Sequence, residues 1–313
     1  MENLERYQAA AEQFALQGKI ISIEPYGEGH INVTLLVTTD EKRYIMQKMN
    51  TRVFKDPVNL MKSICGVTEH LSARGIETLR VVPTKDGQAF LQGEECYRVY
   101  DFIENTITYQ TVTDKEVFKN SGKAFGEFQN YLAEFDASKL AETIKDFHNT
   151  PKRYENFEKA LKENAFDRAK ECEKEIAFVL ERKDTLDKVV KGIADGSIPL
   201  RVTHNDTKLN NVMLDAADRS PLCGIDLDTV MPSSPLYDFG DSIRIGTNTA
   251  ADDEKDLSKV SCDLELYEAY ARGYLEACGK MLTKKELELL PYAALIITSE
   301  DGIRFLMDHI DGD

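Results

Sequence analysis

Tryptophan is absent from this chain of 313 residues, and positive charge is scarce: 39 Lys and Arg stand against 55 Asp and Glu, a formal net charge of −16. Non-specific nucleic-acid binding rests on phosphate neutralisation by Lys and Arg, so that class is disfavoured. A polybasic membrane-surface role is disfavoured for the same reason. No uninterrupted apolar run approaches the ~18 residues that a membrane span needs. The opening MENLERYQAA has no apolar core of the kind a secretory signal carries. The cysteines, Cys65, Cys96, Cys172, Cys223, Cys262 and Cys278, are widely scattered, with no CxxC pair and no His at metal-ligand spacing. Reduced, mostly buried thiols in a cytoplasmic protein are therefore expected. A hydrophobic content of 42% beside 30% charged residues is that of an ordinary globular protein, not a disordered one. The length allows about two domains.

The hydrophobic period changes along the chain. Leu4, Tyr7, Ala11 and Phe14 fall at helical spacing, and Gly18 is placed to stop that helix. Residues 19–26, 31–38 and 43–49 are β-branched or alternating runs separated by Gly27-Glu28-Gly29 and Thr39-Asp40-Glu41. Strands joined so tightly form an antiparallel meander, because parallel pairing needs a crossover. A helix is expected over 56–74, with Pro57 in its first turn, then strands at 78–83, 89–91 and 96–103. From residue 114 the pattern is helical, with Val117, Phe118, Ala124, Phe125, Phe128 and Leu132 as one apolar stripe. Two Glu/Lys-rich helices are expected across 155–195, short strands at 200–203, 211–214 and 222–227, and helices at 264–278 and 285–310. The fold class is α+β: a small lobe over residues 1–103, built on a five-stranded antiparallel sheet and one helix, and a larger, mainly helical lobe over 104–313.

The strongest chemical signal is His204-Asn205-Asp206-Thr207-Lys208-Leu209-Asn210-Asn211, which fits H-x-D-x-x-x-x-N, the catalytic-loop pattern of kinases. Fifteen positions after Asn211 comes Ile225-Asp226-Leu227-Asp228, an acidic pair leaving a second short strand. Phosphoryl transfer is mostly positioning and charge neutralisation, so it needs metal ligands, a cation on the transferred phosphate and an acceptor for the hydroxyl proton. Asp206 is placed to accept the proton and Lys208 to reach the γ-phosphate. Asn211 and Asp226 offer the oxygens that Mg2+ prefers, and Asp228, a further acidic neighbour, is counted with them as a metal candidate. Gly27-Glu28-Gly29-His30-Ile31-Asn32 is followed by a strand. A dinucleotide fingerprint would need a helix there, whereas a glycine hairpin covering ATP phosphates fits.

In Tyr44-Ile45-Met46-Gln47-Lys48, alternation puts Gln47 and Lys48 on opposite faces, so either could meet the phosphates. Glu69 on the next helix is the one candidate acidic partner. Phe102 and Ile103, closing the strand at the lobe boundary, are counted with the nucleotide-binding positions. Asp238 in Tyr237-Asp238-Phe239-Gly240 is read as a buried residue that holds the catalytic loop. Only twelve positions separate Asp226 from Asp238, with no APE motif, which leaves little room for the peptide-docking segment of a protein kinase.

Together these residues resemble the aminoglycoside/choline-kinase-like phosphotransferase superfamily, small-molecule kinases with a protein-kinase-like fold, and within it the N-acetylhexosamine 1-kinases. The resemblance is carried by PYGEGHIN, YIMQKMN, FHNTPKRYENF, HNDTKLNNVMLD, IDLDTVMP, YDFGDSIR and SEDGIRFLMDHIDGD, from residue 25 to the last. It implies ATP- and Mg2+-dependent phosphorylation of the anomeric hydroxyl of an N-acetylhexosamine, with Asp206 as base and Asn211 and Asp226 as metal ligands. It also implies His30 and Arg304 as sugar-side residues. Relatives of this type continue beyond the position of Asp313 with a short apolar-aromatic segment, so part of a sugar pocket is expected to be missing.

Two alternatives stay open on the sequence. One is a kinase for another small alcohol: choline would call for an aromatic box, poorly supplied without tryptophan, and an aminoglycoside for carboxylates such as Asp252-Asp253-Glu254. The other is an inactive nucleotide-binding scaffold, against which the presence of Asp206, Asn211 and Asp226 counts. A small-molecule substrate is expected, with no nucleic-acid, membrane or protein substrate.

Overall fold

The computed structural model describes residues 2–27, 29, 31–251 and 254–313; His30, Asp252 and Asp253 lie outside the described residues. Helix α1 (Glu2–Ala11) precedes strands β1 (Ile20–Pro25), β2 (Val33–Thr39) and β3 (Arg43–Met49), helix α2 (Pro57–Ser72) and strands β4 (Val81–Val82) and β5 (Cys96–Asp101). The five strands form one antiparallel sheet in the order β1-β2-β3-β5-β4. Alternation divides its residues between two faces. Leu35, Val37, Tyr44, Met46 and Val99 pack with Ala10, Ala11 and Phe14. The opposite face brings Met49, Cys96 and Tyr100 against Leu60, Ile64 and Val67 of α2. Asp56 caps α2 by accepting from Asn59 N at 3.0 Å, and Pro57 starts it where a missing N–H costs nothing.

The first helix is shorter than its apolar spacing suggests. It ends at Ala11, because Phe14 bridges to Thr84 and Ala15 N bonds to Pro83 O at 2.9 Å, drawing the chain towards the sheet. Gly18 instead turns the chain into β1 at φ 79°, where a Cβ would sit 2.3 Å from Asp40 Oδ1. Residues 89–91 form no strand; Leu91 makes only an isolated bridge to Tyr97.

Beyond β6 (Thr106–Ile107) come α3 (Lys115–Tyr131), α4 (Thr150–Glu163), α5 (Glu173–Leu180), α6 (Lys183–Leu186) and α7 (Lys188–Ala194). Strands β7 (Arg201–Thr203), β8 (Val212–Asp215), β9 (Pro221–Gly224) and β10 (Met231–Ser233) lead into α8 (Pro235–Gly246), α9 (Leu264–Cys278) and α10 (Lys284–Ile310). The stretch expected to hold two helices across 155–195 is broken into shorter pieces. Asn164, in the left-handed conformation at φ 38°, ends α4. Strand β6 pairs with β8, and β7 with β10. Helix α8 lies hard against α10: a Cβ on Gly240 would stand 2.5 Å from Ala293 O, so only glycine permits that approach. All six cysteines are free thiols, four of them buried. Among the described residues no helix is long and apolar enough to cross a membrane.

Candidate active site

The segment between β7 and β8 is held from behind. Fully buried Asp238, on α8, accepts His204 N at 2.9 Å, Asn205 N at 2.7 Å and Gln129 Nε2 at 2.7 Å. Burial pushes its carboxyl pKa up, opposed by His204 and by these three N–H groups. Thr207 adds further ties: its Oγ1 donates to Asp238 O at 2.7 Å, its O accepts from Ser242 Oγ at 2.8 Å, and its N donates to Asp241 Oδ2 at 3.1 Å. His204 is buried between Phe125 and Phe128, its Nε2 2.8 Å from Ile225 O. Asn205 takes a left-handed φ of 63°. Asp206 is thus bracketed on both sides by anchored backbone.

Asp206 faces an open cleft of about 760 Å³ that Gly27, Gly29, Gln47, Asn211 and Asp226 also line. Lys208 Nζ lies 3.0 Å from Asp206 Oδ1, and Asn211 Nδ2 donates to Asp206 Oδ2 at 3.0 Å and to its backbone O at 2.9 Å. Partial burial pulls the Lys208 pKa down, but the charge and hydrogen bond of Asp206, with Asp241 and Asp226, outweigh it and raise it. The ammonium therefore stays charged. Since Asn211 uses its amide N–H2 on Asp206, its carbonyl oxygen is the atom available to a cation.

Asp226 follows β9 at a left-handed φ of 60° and shares the cleft wall. Burial, then the charge of Asp228, push its pKa up to about 6, with Asp206 adding to the effect and Arg98 opposing it. Asn211 and Asp226 supply one amide and one carboxylate oxygen. Magnesium is commonly held by one or two protein oxygens, with substrate phosphates and water completing the shell, and these two residues fit that donor set.

The remaining expected residues are placed less uniformly. Gln47 lines the cleft, whereas Lys48 points to the other face of the sheet and pairs with Glu95 at 3.3 Å. Asp228, counted among the metal candidates, is buried and does not line the cleft, its carboxylate taken by Arg98 Nη1 and by Asn32 Nδ2 at 2.7 Å. Both polar ends of Asn32 are engaged, since its Oδ1 accepts Asn50 N at 2.9 Å. Glu69 is exposed on α2 and meets nothing in the cleft. Ile103 lines a deeper cavity of about 200 Å³ with Ile45, Leu79, Tyr100 and Met213, while Phe102 turns outward against Arg43, 4.1 Å from its guanidinium carbon. Arg304 pairs with Asp301 at 3.4 Å within α10. His30 lies outside the described residues.

Three residues went unread in the sequence. Arg98 donates from Nε and Nη2 to Gln47 Oε1 at 2.9 and 2.8 Å, and it is 1% exposed. A cation between the apolar neighbours Tyr97 and Val99 was the available signal. Gln129 lies on the apolar face of α3, where a polar residue implies a buried partner. Asp241 follows Asp238 by one helical turn and bonds Arg244 at 3.4 Å, which also binds Asp301 at 3.1 Å. These contacts link α10 to the backbone beside Asp206.

The sequence pattern of the phosphotransferase enzyme family matches residues 22–283. This chain belongs to that family. Among solved structures, the phosphotransferase superposes on a microcompartment-associated aminopropanol kinase with a TM-score of 0.64 at 14% identity, over 98% of this chain and 94% of that one. An amicoumacin kinase in complex with AMP-PNP and Ca2+ gives 0.62 at 13%, over 96% and 85%. A choline kinase from Streptococcus pneumoniae gives 0.54 at 14%, over 100% and 92%. The shared fold is that of small-molecule kinases, and the arrangement of the phosphotransferase's sheet, α2 and helical part is the α+β one its sequence implies.

Proposed function

We propose that this phosphotransferase transfers the γ-phosphoryl group of ATP to the anomeric hydroxyl of an N-acetylhexosamine, yielding the sugar 1-phosphate. The lobe over residues 1–103 would hold the nucleotide, and the lobe over 104–313 would supply the catalytic loop and acceptor site. The observation that carries the reading is Asp206, anchored on both sides, hydrogen-bonded by Asn211 and ion-paired to Lys208 on the wall of a cleft shared with Asp226.

In this reading Asp206 accepts the proton of the attacking hydroxyl as its oxygen bonds to the γ-phosphorus and the bond from that phosphorus to the bridging oxygen breaks, releasing ADP, and its anchored backbone keeps the carboxylate in line. Lys208, held charged beside it, meets the negative charge of the transferring group. Magnesium bound by the oxygens of Asn211 and Asp226 would neutralise the β- and γ-phosphate charge. Gly27 and Gly29 present backbone without side chains, so phosphate can approach closely. Ile45, Leu79, Tyr100, Ile103 and Met213 offer the apolar walls that a purine needs.

An ADP-release assay over amino sugars, aminoglycosides, choline and small amino alcohols tests this reading, with phosphorus NMR of the product. Release with N-acetylgalactosamine or N-acetylglucosamine and an anomeric phosphate ester is the expected result. Phosphate on any other oxygen, or turnover only with another alcohol, would overturn the sugar assignment.

A further inference from the structure

Kinase chemistry relies on a cation over the non-transferred phosphates, fixed in place by an acid, conventionally a strand lysine and a helix glutamate. Neither stands there in this chain. The cleft-facing residue of β3 is Gln47, and Lys48 is committed to Glu95 on the far face. Helix α2 carries one acid, Glu69, which is exposed. One buried cation does reach the cleft wall. Arg98, directly across from Gln47 on the neighbouring strand β5, lines the same cavity as Asp226 and Asn211.

We propose that Arg98 is the phosphate-binding cation of this enzyme, and that Asp228 rather than a helix glutamate is the acid that positions it. The proposal rests on reading the cleft as a nucleotide site. A guanidinium has five N–H donors. Asp228 takes one from Nη1, and Gln47 Oε1 takes one each from Nε and Nη2. That leaves an N–H on each Nη atom, two charged donors for phosphate oxygens. Gln47 thus holds the cation from the lysine's own position. Asp228 sits two residues beyond Asp226, in the 227–229 turn, so the same short segment would carry a metal ligand and orient the phosphate cation. This gives Asp228 a function without direct metal contact, and it accounts for an acid buried and fully engaged beside the site.

The test is isothermal titration of the full chain with Mg2+-ATP, Mg2+-ADP and adenosine. Arg98→Met should weaken ATP and ADP binding roughly 10- to 100-fold, as expected for losing a hydrogen-bonded charge, and leave adenosine binding unchanged. Arg98→Lys, which keeps the buried charge but cannot bridge three partners, should show the same selectivity with a smaller loss; it carries the test where Arg98→Met does not fold. In Gln47→Lys/Arg98→Met the cation returns to β3, and ATP affinity should recover relative to Arg98→Met. Asp228→Asn should raise KM for ATP more than it lowers kcat. Equal weakening of ATP and adenosine, or ATP affinity unchanged in the Arg98 variants, overturns the proposal and leaves the nucleotide reading intact. A folded wild type that binds neither ATP nor adenosine overturns both.

Discussion

Replacing Asp238 gives a quantitative test of how the loop carrying Asp206 is held. Its carboxylate accepts three N–H groups, two of them from the loop backbone, at 2.7–2.9 Å, in a site with no solvent exposure. Asp238→Ala orphans all three donors. At about 1–3 kcal/mol for each, offset by no longer burying a charge, the net loss should be roughly 3–5 kcal/mol. Asp238→Asn keeps one acceptor. With its N–H2 at the Oδ1 position it faces Asn205 N. With the N–H2 at the Oδ2 position it faces His204 N, while Gln129 can rotate to present its Oε1, which has no partner now. Either way one backbone N–H loses its acceptor, for roughly 1–3 kcal/mol. Because Asp206 directly follows these two anchored residues, kcat should fall, by up to about 100-fold if the carboxylate moves ~1 Å, with little change in KM for ATP. Denaturant unfolding with unchanged m-values measures the first effect and steady-state kinetics the second. An Asp238→Asn protein as stable and as active as wild type would refute this reasoning, and so would an Ala variant no less stable than the Asn one.

Other outcomes follow from the same geometry. Asp206→Asn should reduce turnover by roughly 10²- to 10⁴-fold while ATP binding, followed by titration, is retained; a variant that still turns over normally removes Asp206 as the base. Asp226 carries its proton up to about pH 6 in the folded chain against an ordinary 3.8. Its contribution to metal-free stability is therefore fully present below the lower value and lost as pH rises through the upper one. Magnesium needs the ionised carboxylate, so stabilisation by Mg2+-ATP in thermal unfolding should grow between about pH 5 and about pH 7.5. Asp226→Asn should flatten that dependence; an unchanged slope would contradict it. Gly240→Ala should destabilise by about 1–3 kcal/mol, since the new methyl meets the Ala293 backbone and not a yielding side chain. An unchanged unfolding midpoint would show that α8 and α10 can separate freely.

The sheet and the loop that carries Asp206 were legible because each rests on a local rule. Tight turns force the antiparallel meander, and the spacing from His204 to Asn211 fixes which side chains share a loop. What stayed hidden depends on which way a symmetric pattern is turned. Alternation along β3 separates Gln47 from Lys48 but does not say which face meets the cleft; that is decided by α1 covering Tyr44 and Met46. Asp226 and Asp228 look equivalent in sequence, yet the turn at 227–229 sends Asp228 into the sheet and Arg98. Strand β10 contains Pro232, which argues against a strand, and it is tolerated because β10 pairs on one side only, with β7. The breaks between α4 and α7 come without glycine or proline at the first of them, where Asn164 and Asp167, both at positive φ, turn the chain.

Asn205 and Asp226 both hold left-handed backbone at the site, a conformation that disfavours a side chain with a Cβ and suits glycine. The molecule thus keeps two conformationally tense residues beside the proposed base and the proposed metal position. Glycine at Asp226 would relax that tension and also remove the carboxylate, so selection for stability alone would erode the site. Retaining Asp226 there lets the backbone, independently of any metal, keep the carboxylate turned into the cleft. The reactive arrangement is then a property of the folded chain itself, ready before any ligand arrives.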